Sequence, residues 1–241
     1  MSAWRVFADP ASLEDVLCEA IGAAIAASIT ARGVALLGLS GGSTPLPLYR
    51  RLAQASLDWP RVVIALVDER WVPVDHPASN EGALRHAFAP ALAQGARLQG
   101  MKNPSIRAAD GLAVCEADYR SLPLPFDLVL LGMGEDGHIA SLFPRAEGLD
   151  AALDADSPAL CAAISAAPSR VTGEFTERVS LTLGALHPAR VIVLLALGEA
   201  KRHTLIEAAA GSDVAAMPVR ALLGKGNDNL NVWWAPQEHA G

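Results

Sequence analysis

Four stretches of the sequence each carry an unbroken apolar run rather than an alternating one: VALLGLS (34–40), RVVIALVDE (61–69), FDLVLLGM (126–133) and RVIVLLALG (190–198). A strand that is apolar on both faces must be covered on both faces, which marks a parallel sheet between helical layers. LNVWWA (230–235) reads as a last strand. Helical patterns separate these runs. Ser12 is placed to cap a helix that runs to about Arg32 and is stopped by Gly33. Pro45 opens PLPLYRRLAQ, Asn80 opens NEGALRHAF, AADGLAVCEADYRSL covers 108–122, and EAKRHTLIEAAAG covers 199–211. The alternation predicts an α/β protein, a three-layer α/β/α sandwich with a mainly parallel sheet. With 241 residues and no linker, repeat or low-complexity block, one domain over 1–241 is expected. The least regular segment, 144–178, is expected to form loops over one end of the sheet.

Open α/β sheets bind ligands at the carboxyl ends of their strands. SGGSTP (Ser40–Pro45) follows the first strand, and Asp68 to Arg70 end the second. Glu135, Asp136 and His138 follow the third, and Glu199 to His203 follow the fourth. Four polar endings on one edge point to a site there. The glycines and hydroxyls of Ser40, Gly41, Gly42, Ser43 and Thr44 suit an anion cradle built from backbone N–H groups and a helix start. The alternative is an ordinary strand–helix turn with a Ser/Thr cap. Lys201 and Arg202 fall in the first turn of a helix, where a cation opposes the helix dipole and a bound anion would reverse the penalty. Otherwise Glu199 neutralises them, or both reach out to solvent. His138, with Asp136 two residues away and Asp68 at a neighbouring strand end, is the candidate general base.

Other chemistries find less support. GLSGG (38–42) fits the GxSxG string of a nucleophile elbow, but Asp136 and His138 on one turn look poorly placed to relay to each other and to Ser40. His86, His187, His203 and His239 lack a carboxylate setting, and His76 is unassigned. No histidine pair has metal-ligand spacing, so no metal is expected. A net charge of −7 argues against nucleic acid as a partner and requires that any anion be held locally. Cys18, Cys115 and Cys161 are scattered and read as small buried residues in a reducing compartment. The N-terminus lacks a signal-peptide pattern, and the run 17–29 is too short to span a bilayer, so a cytoplasmic protein without a membrane partner is expected.

LSGGSTP, VDERWVP with SNEGALR, LLGMGEDGHIASLFP, RVSLTL and LGEAKR occur here in the order found in 6-phosphogluconolactonases, and the sequence resembles that family over about Leu39–Arg202. The wider superfamily includes glucosamine-6-phosphate deaminases, whose corresponding turn reads GxDGHIAFNEP. Phe143 stands where that pattern has its acid, which favours the lactonase. The resemblance implies a Rossmann-like fold and no metal or organic cofactor. It implies hydrolysis of 6-phospho-D-glucono-1,5-lactone to 6-phosphogluconate in the oxidative pentose phosphate pathway, with the sugar phosphate lactone as the small-molecule partner. By motif, Ser40 to Thr44 and Lys201 match phosphate-binding positions, Arg70 and Arg178 match basic positions facing the substrate, and His138 matches the catalytic base, with Asp136 and Asp68 nearby. Phe143 and Leu142 are then expected to make an apolar wall to the site. A deaminase-type enzyme and a non-enzymatic sugar-phosphate sensor are the competing readings, although the chain has no spare segment for a DNA-binding helix-turn-helix. Monomer and homodimer are both open.

Overall fold

The structure is a computed structural model that describes residues 3–224 and 227–237. In chain order the strands are β1 (Ala3–Val6), β2 (Ala35–Leu39), β3 (Val62–Leu66), β4 (Asp68–Arg70), β5 (Arg97–Gln99), β6 (Leu128–Gly132), β7 (Cys161–Ser165), β8 (Glu177–Leu181), β9 (Ile192–Leu197) and β10 (Leu230–Ala235). The helices are α1 (Pro10–Arg32), α2 (Leu46–Leu52), α3 (Asn80–Ala87), α4 (Ala89–Ala93), α5 (Ala108–Arg120), α6 (Leu149–Ala152), α7 (Leu183–Leu186), α8 (Glu199–Ala210) and α9 (Arg220–Leu223).

Seven strands form one parallel sheet in the order β1-β10-β9-β6-β2-β3-β5. β2, β3 and almost all of β6 and β9 are buried, as expected of strands covered on both faces. α1 lays a stripe of Leu13, Leu17, Ile21, Ile25 and Ser28 on the sheet at helical spacing. Its N-cap is Asp9, not Ser12: the Asp9 carboxylate accepts from the Ser12 N–H at 2.7 Å, so the serine is the capped residue. Gly33 ends the helix at φ +78, a conformation that costs glycine little. α2 begins at Leu46, one residue later than expected.

The chain runs outward from β2 to β3 and β5, then returns to place β6 on the other side of β2. The strand order therefore reverses between β2 and β6, and the crevice over such a reversal is where α/β sheets bind ligands. The SGGSTP turn leaves β2 there, and the GEDGH turn leaves β6.

Two further expectations need correction. The run 61–69 is two strands. β3 ends at Leu66, Val67 is shared, and β4 joins a second, antiparallel sheet of order β4-β8-β7. The Val67 N–H donates to Leu39 O at 3.1 Å in the first sheet, while its carbonyl accepts from Leu181 N–H at 2.8 Å in the second. Segment 144–178 is not only loop, because it supplies α6, β7 and the start of β8. Its β7 is half-buried and so lacks the apolar signature of a central strand. β1 and β5 had no expectation at all. Both are short edge strands whose described side chains are mostly exposed or half-buried.

Candidate active site

A cavity of about 290 Å³ opens at the strand-order reversal. Ser40 to Thr44 form one side. Gly132, Met133, Gly134 and His138 also line it. Asp68, Arg70 and Arg178 come from the second sheet, and Lys201 from the first turn of α8. Thus Ser40, Gly41, Gly42, Ser43, Thr44, Asp68, Arg70, His138, Arg178 and Lys201 meet around one space, and Asp136 stands directly behind His138.

The two glycines of the cradle are needed for different reasons. Gly42 lies at φ +93, which L side chains rarely adopt. At Gly41 a Cβ would collide with the side-chain amide of Asn80. No side chain caps α2, so neither Ser43 nor Thr44 takes the role that would make this an ordinary capped turn. The Tyr49 hydroxyl donates to Ser40 O at 2.9 Å and ties the end of β2 to α2.

His138 is held by a tight contact. Its Nδ1 lies 2.6 Å from Asp136 Oδ1, and its backbone N–H donates to the same oxygen at 3.1 Å. This corrects the expectation that Asp136 and His138 are poorly placed to relay to each other. Gly137 at φ +79 folds the turn back, and Gly134 leaves room for the ring: a Cβ there would collide with His138 Nδ1. Burial pushes the Asp136 carboxyl up, but its hydrogen bonds and charge interaction with His138 outweigh this and hold it below the usual carboxylate range. A carboxylate on Nδ1 favours the tautomer with its proton there, which leaves Nε2 as the basic nitrogen.

Asp68 does not reach His138 as a second orienting group. Its Oδ2 accepts from the Ser141 hydroxyl at 2.6 Å, and Ser141 is wholly buried. Phe143 is not a wall of the cavity either. It is 3% exposed and packs on the His138 ring, centroids 4.3 Å apart, with the Arg178 guanidinium 4.9 Å from its own centroid. Leu142 is in the core.

Arg70 and Arg178 are direct partners in the antiparallel β4–β8 pair. Like charges directly opposite destabilise a sheet. Arg178 is buried and donates to Phe175 O at 3.1 Å and Thr172 O at 2.7 Å. Burial first, and then the neighbouring Arg70 charge, pull its pKa down, against the opposing pull of Asp68 and Glu69. Burial likewise lowers the pKa of Lys201, with Glu135 opposing. Three cations facing one cavity, two of them partly desolvated, amount to a site short of an anion. Arg202 does not join them: it pairs with Glu199 at 3.3 Å and lies over Trp234.

The other histidines lie elsewhere. His76 Nδ1 accepts from Ala78 N–H and its ring meets Phe175 edge-on, His203 contacts Glu199 O, and His239 lies outside the described residues. Cys115 and Cys161 are buried and Cys18 is half-buried. No helix among the described residues is long and apolar enough to cross a membrane. Ser40 does not have the positive φ of a strained elbow; among the described non-glycine residues only Ala140 and Arg145 do.

The family of glucosamine-6-phosphate isomerases/6-phosphogluconolactonase matches residues 8–233. The chain belongs to this family. It is 37% identical over 232 residues to a 6-phosphogluconolactonase of Rhizobium meliloti, covering 96% of this chain and 98% of that one. It is 39% identical to a 6-phosphogluconolactonase of Pseudomonas putida, covering 95% and 91%. A 6-phosphogluconolactonase crystal structure from Shewanella baltica superposes with a TM-score of 0.91 at 36% identity, covering 98% of each chain. In this family member, sequence reasoning missed two residues around the cavity. Asn80 lines it, although the sequence showed it only as a helix start. Glu69 lies buried beside it. Nothing in an isolated DER marks which of its acids faces inward.

Proposed function

We propose that the protein hydrolyses 6-phospho-D-glucono-1,5-lactone to 6-phospho-D-gluconate, the lactone-opening step of the oxidative pentose phosphate pathway. The observation that carries this reading is the His138–Asp136 contact at 2.6 Å, which opens onto the same cavity as the cradle and three cations. Neutral His138, its Nδ1 proton held by Asp136, takes a proton from water at Nε2 as the water oxygen bonds to C1; the tetrahedral intermediate then collapses with loss of the C1–ring-oxygen bond, and the released ring oxygen takes that proton back to become a hydroxyl. A lactone is already an activated ester, so a base contributing about 10²–10⁴-fold suffices alongside oxyanion donors. Arg70 faces the carbonyl that becomes the oxyanion. The Ser40–Thr44 cradle and Lys201 hold the remote phosphate, whose binding orients the ring. Arg178 adds to the cationic field, and Asp68, fixed by Ser141, balances it.

The test measures kcat/KM on the phosphorylated lactone and on plain gluconolactone, corrected for spontaneous opening. Lys201→Ala should lower kcat/KM for the phosphorylated substrate about 10- to 150-fold, the worth of one charge-assisted contact, and leave the plain lactone nearly unchanged. Equal losses on both would remove Lys201 from the phosphate site.

A further inference from the structure

Glu69 sits in the middle of β4, between two residues that line the cavity, and is itself fully buried. Its carboxylate gathers four donors. Oε1 accepts from Arg70 N–H at 2.8 Å and Asn80 N–H at 2.7 Å. Oε2 accepts from Glu81 N–H at 2.7 Å and from the Ser79 hydroxyl at 3.0 Å. Three of these donors belong to the start of α3, so one carboxylate pins that helix to β4.

The pinned residue next in line is Asn80. Its Nδ2 donates to Asp68 O at 2.9 Å, and its Oδ1 accepts from Arg70 Nη1 at 2.9 Å. The same amide lies against Gly41 of the cradle, where a Cβ would collide with it. Arg70 Nη1 also donates to Ala78 O at 2.9 Å. Both acceptors that fix the guanidinium therefore lie on the chain that Glu69 anchors.

We propose that Glu69 is a positioning residue for the hydrolysis, anchoring the start of α3 so that Asn80 aims the Arg70 guanidinium into the cavity. This rests on the reading of Arg70 as a group that faces the lactone. Helix capping alone does not call for a buried acid, because Ser79 already caps α3 through Gly82 N–H at 3.0 Å. A carboxylate makes stronger and more directional bonds to amides than a hydroxyl does, which suits a part that must not drift. The charged groups around it are Asp68 and Arg70 on its own strand, Arg178 on β8, and Glu81 in the first turn of α3. Burial raises its pKa to about 7, against the pull of the donors.

The experiment is a double-mutant cycle of Glu69→Gln and Arg70→Ala in the full chain. It reads kcat/KM for the phosphorylated lactone at about pH 8, with folding checked by circular dichroism. Gln keeps the shape but turns an N–H₂ toward amide donors. Glu69→Gln should cost at least about 10-fold, within what a misplaced catalytic group loses. In the Arg70→Ala background the same change should cost less than about 2-fold, because the group it aims is gone. Equal losses in both backgrounds would mean a structural role only, and would overturn the proposal while leaving Arg70's role intact. Arg70→Ala with wild-type activity would overturn the reading of Arg70, and this proposal with it. Should Glu69→Gln not fold, Asn80→Ala replaces it in the same cycle, and equal losses again overturn the proposal.

Discussion

In the proposed reaction the chemistry turns on the imidazole of His138, and its neighbours divide the work of holding it. Asp136 holds Nδ1, Gly134 and Gly137 make the turn possible, and Phe143 packs on the ring. His138→Asn should lower kcat by at least about 10²-fold, with inhibition by 6-phosphogluconate nearly unchanged; a mutant with more than about a tenth of wild-type kcat would not have lost a general base. Phe143 also bears on the deaminase branch of the family. A phenyl ring packed on the imidazole offers no carboxylate to relay a proton at an amino sugar, so ammonia release from glucosamine 6-phosphate is expected to stay below about 1 s⁻¹, the low end of ordinary turnover. Glu69 supplies a residue-level prediction of another kind. Its folded pKa of about 7 lies above the ordinary 4.5, so the folded state binds the proton more tightly. Stability should then fall as pH rises from about 4.5 to 7, by up to about 3 kcal/mol, with the whole penalty present above pH 7. Urea melts of wild type and Glu69→Gln across that window should show stability falling more steeply with pH in the wild type.

At the scale of elements, what was legible depended on burial. β2, β3, β6 and β9 are wrapped on both faces, and their unbroken Val, Ile and Leu announce them. β7 and β5 are half-wetted or short, so their composition resembles loop. Strand ends were legible for the same reason: ionisable residues directly after an apolar run have few places to go except the sheet edge. The antiparallel sheet was not legible, because β4 carries no pattern of its own in three residues and its partner lies more than 100 residues away. That sheet sets Arg70 opposite Arg178, a frustrated pair whose repulsion an anion bound in the cavity would relieve. Arg178→Met relieves that repulsion but gives up the bonds to Phe175 O and Thr172 O, and is expected to lower kcat/KM with little gain in Tm in anion-free buffer. Inorganic phosphate should raise Tm in the wild type more than in the mutant, as preferential binding to the folded state requires.

Across the whole molecule the two edges of the parallel sheet have separate tasks. The carboxyl edge carries the cavity. The amino edge is tied by Asp127, 1% exposed at the side chain, which accepts from Leu36 N–H at 2.8 Å and pairs with Arg32 at 3.2 Å and Arg190 at 3.3 Å. Asp127→Ala should destabilise the protein by about 3 kcal/mol, toward the low end for a broken buried pair because both arginines can turn to water. The folded fraction should keep wild-type kcat, and an altered kcat would show that the edges are not independent. Val67 joins the large sheet to the small one with a single residue, its N–H given to one and its carbonyl to the other. In the currency of inheritance, that peptide is a place where the gene cannot stutter. A codon gained or lost there would turn every side chain of β4 over, carrying Asp68 and Arg70 into the interior and Glu69 out toward the lactone.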